Sequence, residues 1–207
     1  MNYDIAKPSD SAEIVHLLAK VFSQSDPPAV AMALSIEDFE QFLQRIVPSV
    51  IPDGVTVVAR SEDSGKLAGV LFSDDFARPA DLDVRQISPK FLPILSMLDA
   101  LDEQFRRRNT IEPETYLHLF MLGVDRHFAG QGIAQGLVRV CLDNGLRLGY
   151  RSAVTEATGK VSQHIFRKNP FADRFSVPYR TFLYEDRTVF ASIQDHQKAI
   201  LMERSLA

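Results

Sequence analysis

Between Leu119 and Gly145 the chain runs from an apolar stretch through the charged turn Asp125-Arg126-His127. It then passes Ala129-Gly130-Gln131-Gly132-Ile133-Ala134 and enters a segment of helical spacing. A strand feeding a glycine-bearing turn and then a helix is suited to an anion. Small residues let the backbone approach the ligand, and the free N–H groups of the first helical turn point towards it. A pyrophosphate would bind well there. No Gly-Lys-Ser/Thr follows, so the loop is not a Walker loop, and Gln135 stands where a dinucleotide fingerprint needs its third glycine. An isolated G-x-G is equally compatible with a tight turn that holds nothing.

Other residues with chemical potential are sparse. His118 lies inside the apolar run and has the intrinsic pKa of a base, although a lone histidine in such a strand reads first as a hydrogen-bonded core residue. His16, His127, His164 and His196 show no metal-ligand spacing. Cys141 is the only cysteine, which rules out an intrachain disulfide and a cysteine-rich metal site; on the inward face of its helix it reads as packing. The basic run Arg106 to Arg108 reads as a solvated helix end.

These residues need elements to position them. Tyr3 to Ala6 reads as a short strand, and "SDSAEIVHLLAKVF" as a helix with Asp10 and Glu13 at capping-box spacing. "SIEDFEQFLQRIV" predicts a second helix with Ser35 as N-cap. "GVTVVAR" and "LAGVLF" predict a hairpin around "SEDSGK". A helix is expected from near Pro93, with Leu95, Leu98, Leu101 and Phe105 on one face. "TYLHLFMLGV" is a buried strand, and the helix Gly132 to Leu148 turns Ile133, Leu137, Val140, Cys141 and Leu148 inward. "SAVTEAT" reads as a strand, "KVSQHIFRKN" as a helix, and "FSVPYRTFLYED" with "TVFASI" as a second hairpin. "QDHQKAILMERSL" is expected to close the chain as a helix. Without a repeat or linker, residues 1–207 read as a single mixed α/β domain.

Bulk properties agree with a soluble globular protein: 45% hydrophobic and 24% charged residues, with net charge -4. That balance gives no sign of a nucleic-acid binder. No apolar run reaches the roughly 18 residues of a membrane span, and the N-terminus has no signal-peptide core, so a cytoplasmic protein is expected.

The segment "LGVDRHFAGQGIAQGLV" resembles the acyl-CoA-binding motif of the GNAT superfamily of N-acetyltransferases, with Val124, Gly130, Gly132, Ile133 and Ala134 in the motif's places. The order of elements matches along essentially the whole chain. The stretches "VFSQSDPPAV", "VTEATGKVSQHIFRKNPF" and "VFASIQDHQKAILMERSL" are similar to the arylalkylamine (dopamine-type) branch. The resemblance implies a mixed, mostly antiparallel central sheet flanked by helices and splayed at the acyl-CoA site. Two positions depart from the pattern. Ala129 replaces an Arg or Gln that would contact the pyrophosphate, and Phe166 replaces a Tyr that protonates the departing thiolate.

The same resemblance implies direct attack of a small primary amine on acetyl-CoA, without a metal. Leu122, Gly123 and Val124 would contact pantetheine and the thioester carbonyl. Ala129, Gly130, Gln131, Gly132, Ile133 and Ala134 would take the pyrophosphate, with Phe166 beside the cofactor. Three residues are candidates for proton transfer. Asp26 occupies the place of the branch's catalytic acid, but an Asp before Pro27 also caps turns. Glu156 ends a strand where the sheet should part, though a solvated charge is its plainer reading. Ser162 could relay protons or simply bond to backbone. Phe22, Phe39 and Phe42 could face an aryl group or pack the core. A homodimer is compatible with the sequence but carries no signal. The rival readings are a silent acyl-CoA sensor and a peptide or lysine N-acetyltransferase.

Overall fold

Alternation of apolar side chains gives one sheet two buried faces. Val58, Val70 and Leu201 enter one core while their neighbours Val57, Leu71 and Ile200 enter another. The computed structural model describes residues 1–78 and 82–206. Its strands are β1 (Asn2–Ile5), β2 (Val57–Arg60), β3 (Leu67–Asp75), β4 (Tyr116–Val124), β5 (Ser152–Ala157), β6 (Ala172–Pro178) and β7 (Lys198–Ser205). They form a seven-stranded sheet in the order β1-β2-β3-β4-β5-β7-β6. All neighbours are antiparallel except β4 and β5.

The first face is covered by α1 (Ser11–Ser25), α2 (Pro27–Ala31), α3 (Ile36–Val50) and α4 (Leu92–Arg106). The second carries α5 (Ile133–Arg147) and α6 (Lys160–Lys168). Ser35 caps α3 as expected, accepting from the Asp38 amide at 3.1 Å while Asp38 bonds back to Ser35. At α1 the expected Asp10–Glu13 box is absent: Asp10 instead accepts from Lys7 N–H, and both acids pair with Arg60 on β2.

Three expectations are corrected. The closing segment is strand β7, inserted between β5 and β6, because "AILM" is a fully buried four-residue run and such runs fit strand or helix equally. β7 thereby replaces "TVFASI", which lies in turns, as the partner of β6. Leu148 is exposed rather than inward, since α5 has already ended at Arg147. No helix among the described residues is long and apolar enough to cross a membrane.

Two irregularities of β4 shape the functional region. Its pairing to β5 covers only Tyr116–His118 against Ser152–Val154, beyond which the two strands lose their ladder. Its register with β3 also shifts: Phe72 faces Met121 and Ser73 faces Leu119, so Phe120 is an extra residue in β4. Both Phe120 and Met121 therefore turn toward the α1–α4 side.

Candidate active site

The loop before α5 is bent by two glycines in the left-handed region, Gly130 at φ 77° and Gly132 at φ 75°. A side chain is disfavoured there by about 1–2 kcal/mol. Gly132 is the N-cap of α5, so the amides that follow it begin the helix without intrahelical partners. No neighbouring heavy atom lies within 4 Å of where a Cβ would stand on either glycine, leaving the loop open to a ligand.

Where β4 leaves β5, its backbone faces this same space. Asp125 N–H bonds to Ala68 O at 2.9 Å, which fixes the alternation of the β3–β4 ladder. Gly123 is then bonded to β3, whereas Leu122 and Val124 direct their amides to the side that β5 has left. Gly123 has a packing task instead: a Cβ there would lie 3.0 Å from Leu18 Cδ2, so glycine lets α1 approach the sheet. The resulting cleft has about 1270 Å³ of open space, mouth included, and runs from Leu122 past the glycine loop to Ser162 on α6.

A second hollow of about 560 Å³, its mouth included, opens beneath α1, α3 and α4. Five phenylalanines line it: Phe22, Phe39, Phe42, Phe91 and Phe120. Asp26, Phe22 and Thr158 border both spaces and so mark their junction.

No family model matches the sequence. Among solved structures, the C-terminal condensation domain of Ebony, in complex with β-alanyl-dopamine, superposes with a TM-score of 0.91 at 14% identity; the match covers 99% of this chain and 98% of that one. Arylalkylamine N-acetyltransferase 2 from Aedes aegypti gives 0.84 at 20% identity, covering 100% and 99%. A Drosophila melanogaster polyamine N-acetyltransferase that forms N-acetylagmatine gives 0.77 at 17% identity, covering 99% of each chain. The chain has the GNAT fold.

On this GNAT fold most of the anticipated residues converge. Leu122, Val124, Ala129, Gly130, Gly132, Ile133 and Ala134 line the cleft, together with Asp26 and Ser162. Gly123, Gln131 and Phe166 are not among the lining residues. Phe166 is buried against Phe171, with ring centroids 5.2 Å apart. Ser162 Oγ donates to Gly159 O at 2.9 Å and accepts from Gly159 N–H at 3.2 Å, so its hydroxyl is engaged in holding the start of α6. His196 helps, accepting the Lys160 amide on Nδ1 at 3.0 Å, which leaves its proton on Nε2 at the cleft.

Asp26 does cap a helix: its Oδ2 accepts from Ala29 N–H at 3.0 Å at the start of α2. Its Oδ1 also accepts from Thr158 Oγ1 at 2.5 Å, which ties the loop to the end of β5. Burial raises its pKa to about 6, against the smaller lowering effect of those two bonds.

Glu156 is not a solvated strand end; its side chain is 3% exposed. It lies on the inward face of β5 because Val154, two residues earlier, does. Its Oε2 accepts from His118 Nε2 at 2.8 Å, and His118 Nδ1 donates to Asp74 Oδ1 at 2.8 Å. Burial opposes the charge on His118, but Glu156 and Asp74 outweigh it and hold the imidazole well above its ordinary pKa. His118 is accordingly an imidazolium, and it keeps Glu156 ionised despite burial.

The residue that sequence reading missed is Asp102 on α4. Burial, and then the charge of Glu156, raise its pKa to about 9; its Oδ1, like Glu156 Oε1, is buried without a hydrogen-bond partner among the described residues. Its position one turn after Leu98, on a face otherwise apolar, was the available signal. Among the described residues no group of side chains is arranged to hold a metal ion.

Proposed function

We propose that this protein is an acetyl-CoA-dependent N-acetyltransferase whose acceptor is a small primary amine of the arylalkyl type. The observation that carries the reading is Asp26, a carboxylate with a pKa near neutrality at the junction of a glycine-mouthed cleft and an aromatic hollow. The activities of the similar structures, on arylalkylamines and in forming N-acetylagmatine, support it.

The acyl donor would lie in the cleft, its pyrophosphate on the amides at Gly130 to Ala134 and its pantetheine along the unpaired edge of β4. Because Ala129 has no cationic or amide side chain, the anion relies on backbone donors and the α5 N-terminus. The amides of Leu122 or Val124 would donate to the thioester oxygen as it gains charge. The amine enters the hollow as an ammonium, gives one proton to Asp26 and attacks the carbonyl carbon; the C–N bond forms, the C–S bond breaks, and the second proton of the nitrogen passes to the departing thiolate, directly or through water. Asp26 suits this task because a base performs best with a pKa near the operating pH. With a pKa of about 8.5, a thiolate is a tolerable leaving group, which lessens the need for the missing tyrosine.

The test is release of free CoA from acetyl-CoA across phenethylamine, tryptamine, serotonin, polyamines and a short lysine peptide, with an amine-free blank. Turnover on an aryl or alkyl amine is expected. Binding of acetyl-CoA without thiol release on any amine would point to the sensor reading, and turnover of the peptide alone to the lysine reading.

A further inference from the structure

The parting of β4 from β5 has a cause in side chains as well as in backbone. Ser152 N–H donates to Thr115 O at 3.2 Å, which fixes the phase of this parallel ladder. In that phase Leu117 and Leu119 turn their backbone groups towards β5. The next bond in the series would run from Glu156 N–H to Leu119 O, and the pairing stops just short of it, at His118 against Val154. Leu119 O accepts instead from Thr155 Oγ1, at 2.8 Å. Both residues are buried, so no solvent competes for either partner. On the opposite face of the sheet a second side-chain link crosses the same gap, His118 Nε2 donating to Glu156 Oε2 at 2.8 Å. Beyond these links Phe120 adds its extra residue, and Leu122 and Val124 face the side that β5 has left.

We propose that Thr155 is a positioning residue for the acyl donor. Its hydroxyl takes the acceptor that would extend the β4–β5 ladder, and so holds β5 away from the β4 edge that receives the donor. This rests on the acetyltransferase reading, which lays the donor's pantetheine along that edge. A direct bond from Glu156 N–H to Leu119 O would keep the strands at the ordinary spacing of about 4.8 Å and carry the ladder on towards Leu122, in competition with the donor. A bond through Oγ1 ends the ladder without leaving the buried Leu119 carbonyl unpaired. The His118–Glu156 link fixes the same divergence from the other face, so β5 neither closes on β4 nor swings further out.

Thr155→Val keeps the shape of this side chain and removes its bond. Acetyl-CoA should then bind about three- to tenfold more weakly, the worth of one net hydrogen bond to the donor. Thr155→Ser retains the hydroxyl and should bind as wild type. In turnover, Thr155→Val should raise KM for acetyl-CoA and leave KM for the amine unchanged. Thr155 lies between Val154 and Glu156 and so points to the α5–α6 face, whereas the aromatic hollow is on the other.

The experiment combines calorimetric titration with acetyl-CoA, thermal melts and CoA release for the wild type and both variants. A Thr155→Val protein that melts lower yet binds acetyl-CoA as tightly as wild type overturns the proposal and leaves the acetyltransferase reading intact. So does an equal rise in KM for the amine, which would mark a general loosening. Should Thr155→Val not fold, weakened acetyl-CoA binding by Thr155→Ser is a refutation by itself. A wild-type protein that binds no acetyl-CoA sinks both this proposal and the reading beneath it.

Discussion

Asp26→Asn separates the chemical role of this residue from its structural one. The substitution can preserve both hydrogen bonds, since the amide oxygen can accept from Ala29 N–H while the amide nitrogen donates to Thr158, whose hydroxyl can turn to accept. What it removes is the ability to take a proton. Loss of a positioned base typically lowers the rate by about 10²–10⁴-fold. Wild-type kcat/KM should rise with pH through about 6, where Asp26 ionises, and the variant should lack that limb. Stability should move in the opposite direction. The native carboxyl binds its proton more tightly than the unfolded one, so the wild-type protein loses stability as pH rises from about 4 to about 6. A shift from 3.8 to about 6 corresponds to at most about 3 kcal/mol, less because Asp26 opens on the cleft and is partly screened. Asp26→Asn should therefore raise Tm by several degrees at pH 7.5 and hardly at all at pH 4, at about 2–4 °C per kcal/mol for a chain of this length. Thermal melts at both pH values and a pH–rate series provide the check. A variant that retained the acid limb would refute the base assignment. A Tm unchanged at pH 7.5 would refute the desolvation that is argued to tune it.

Gly132→Ala should lower Tm by about 2–8 °C, from about 1–2 kcal/mol of left-handed strain with no compensating contact; an unchanged melt would mean that the loop relaxes freely. Phe166→Tyr should not raise kcat, because Phe166 is buried and does not line the cleft, and the added hydroxyl should cost about 1–3 kcal/mol if left unbonded. A tenfold gain in kcat would show that this side chain reaches the thiolate. His118→Leu should destabilise the fold by about 3–5 kcal/mol at pH 8, since it strands buried carboxylates. The deficit should shrink towards pH 5 as those acids take up protons, and melts that are equally depressed at both pH values would contradict that origin.

What could be read from the sequence was local. The glycine loop is legible because two residues close in the chain must adopt a conformation that most side chains resist. Ser35 was legible as a cap for a similar reason, its partner being only three residues away. β7 was not, because a short apolar run such as "AILM" fits strand or helix equally, and its burial is imposed by β5 and β6 rather than by its neighbours in the chain. Glu156 was misjudged by the same mechanism: its partners His118 and Asp102 come from other elements, and no local pattern announces them. One clue was nonetheless present. Val154 before Glu156 and Phe72 before Asp74 are inward residues, so strand parity places both acids on the core side.

The opposed environments of the acids assign their tasks. Asp26 has no cation beside it, and its carboxyl is raised by burial into the range where it can accept a proton and release it again. Glu156 is more enclosed but is bonded to an imidazolium, which lowers its proton affinity and makes it a poor base. Asp102, next to that fixed negative charge, keeps its proton at neutral pH. Environments that push pKa values apart in one pocket are how a site obtains different chemistry from the same side-chain type. By that logic the exchangeable proton belongs on Asp26, beside the donor cleft, while Glu156 holds a static charge paired to His118. Exchanging the two roles would require moving His118, and its place is set by the β3–β4–β5 register that opens the cleft in the first place.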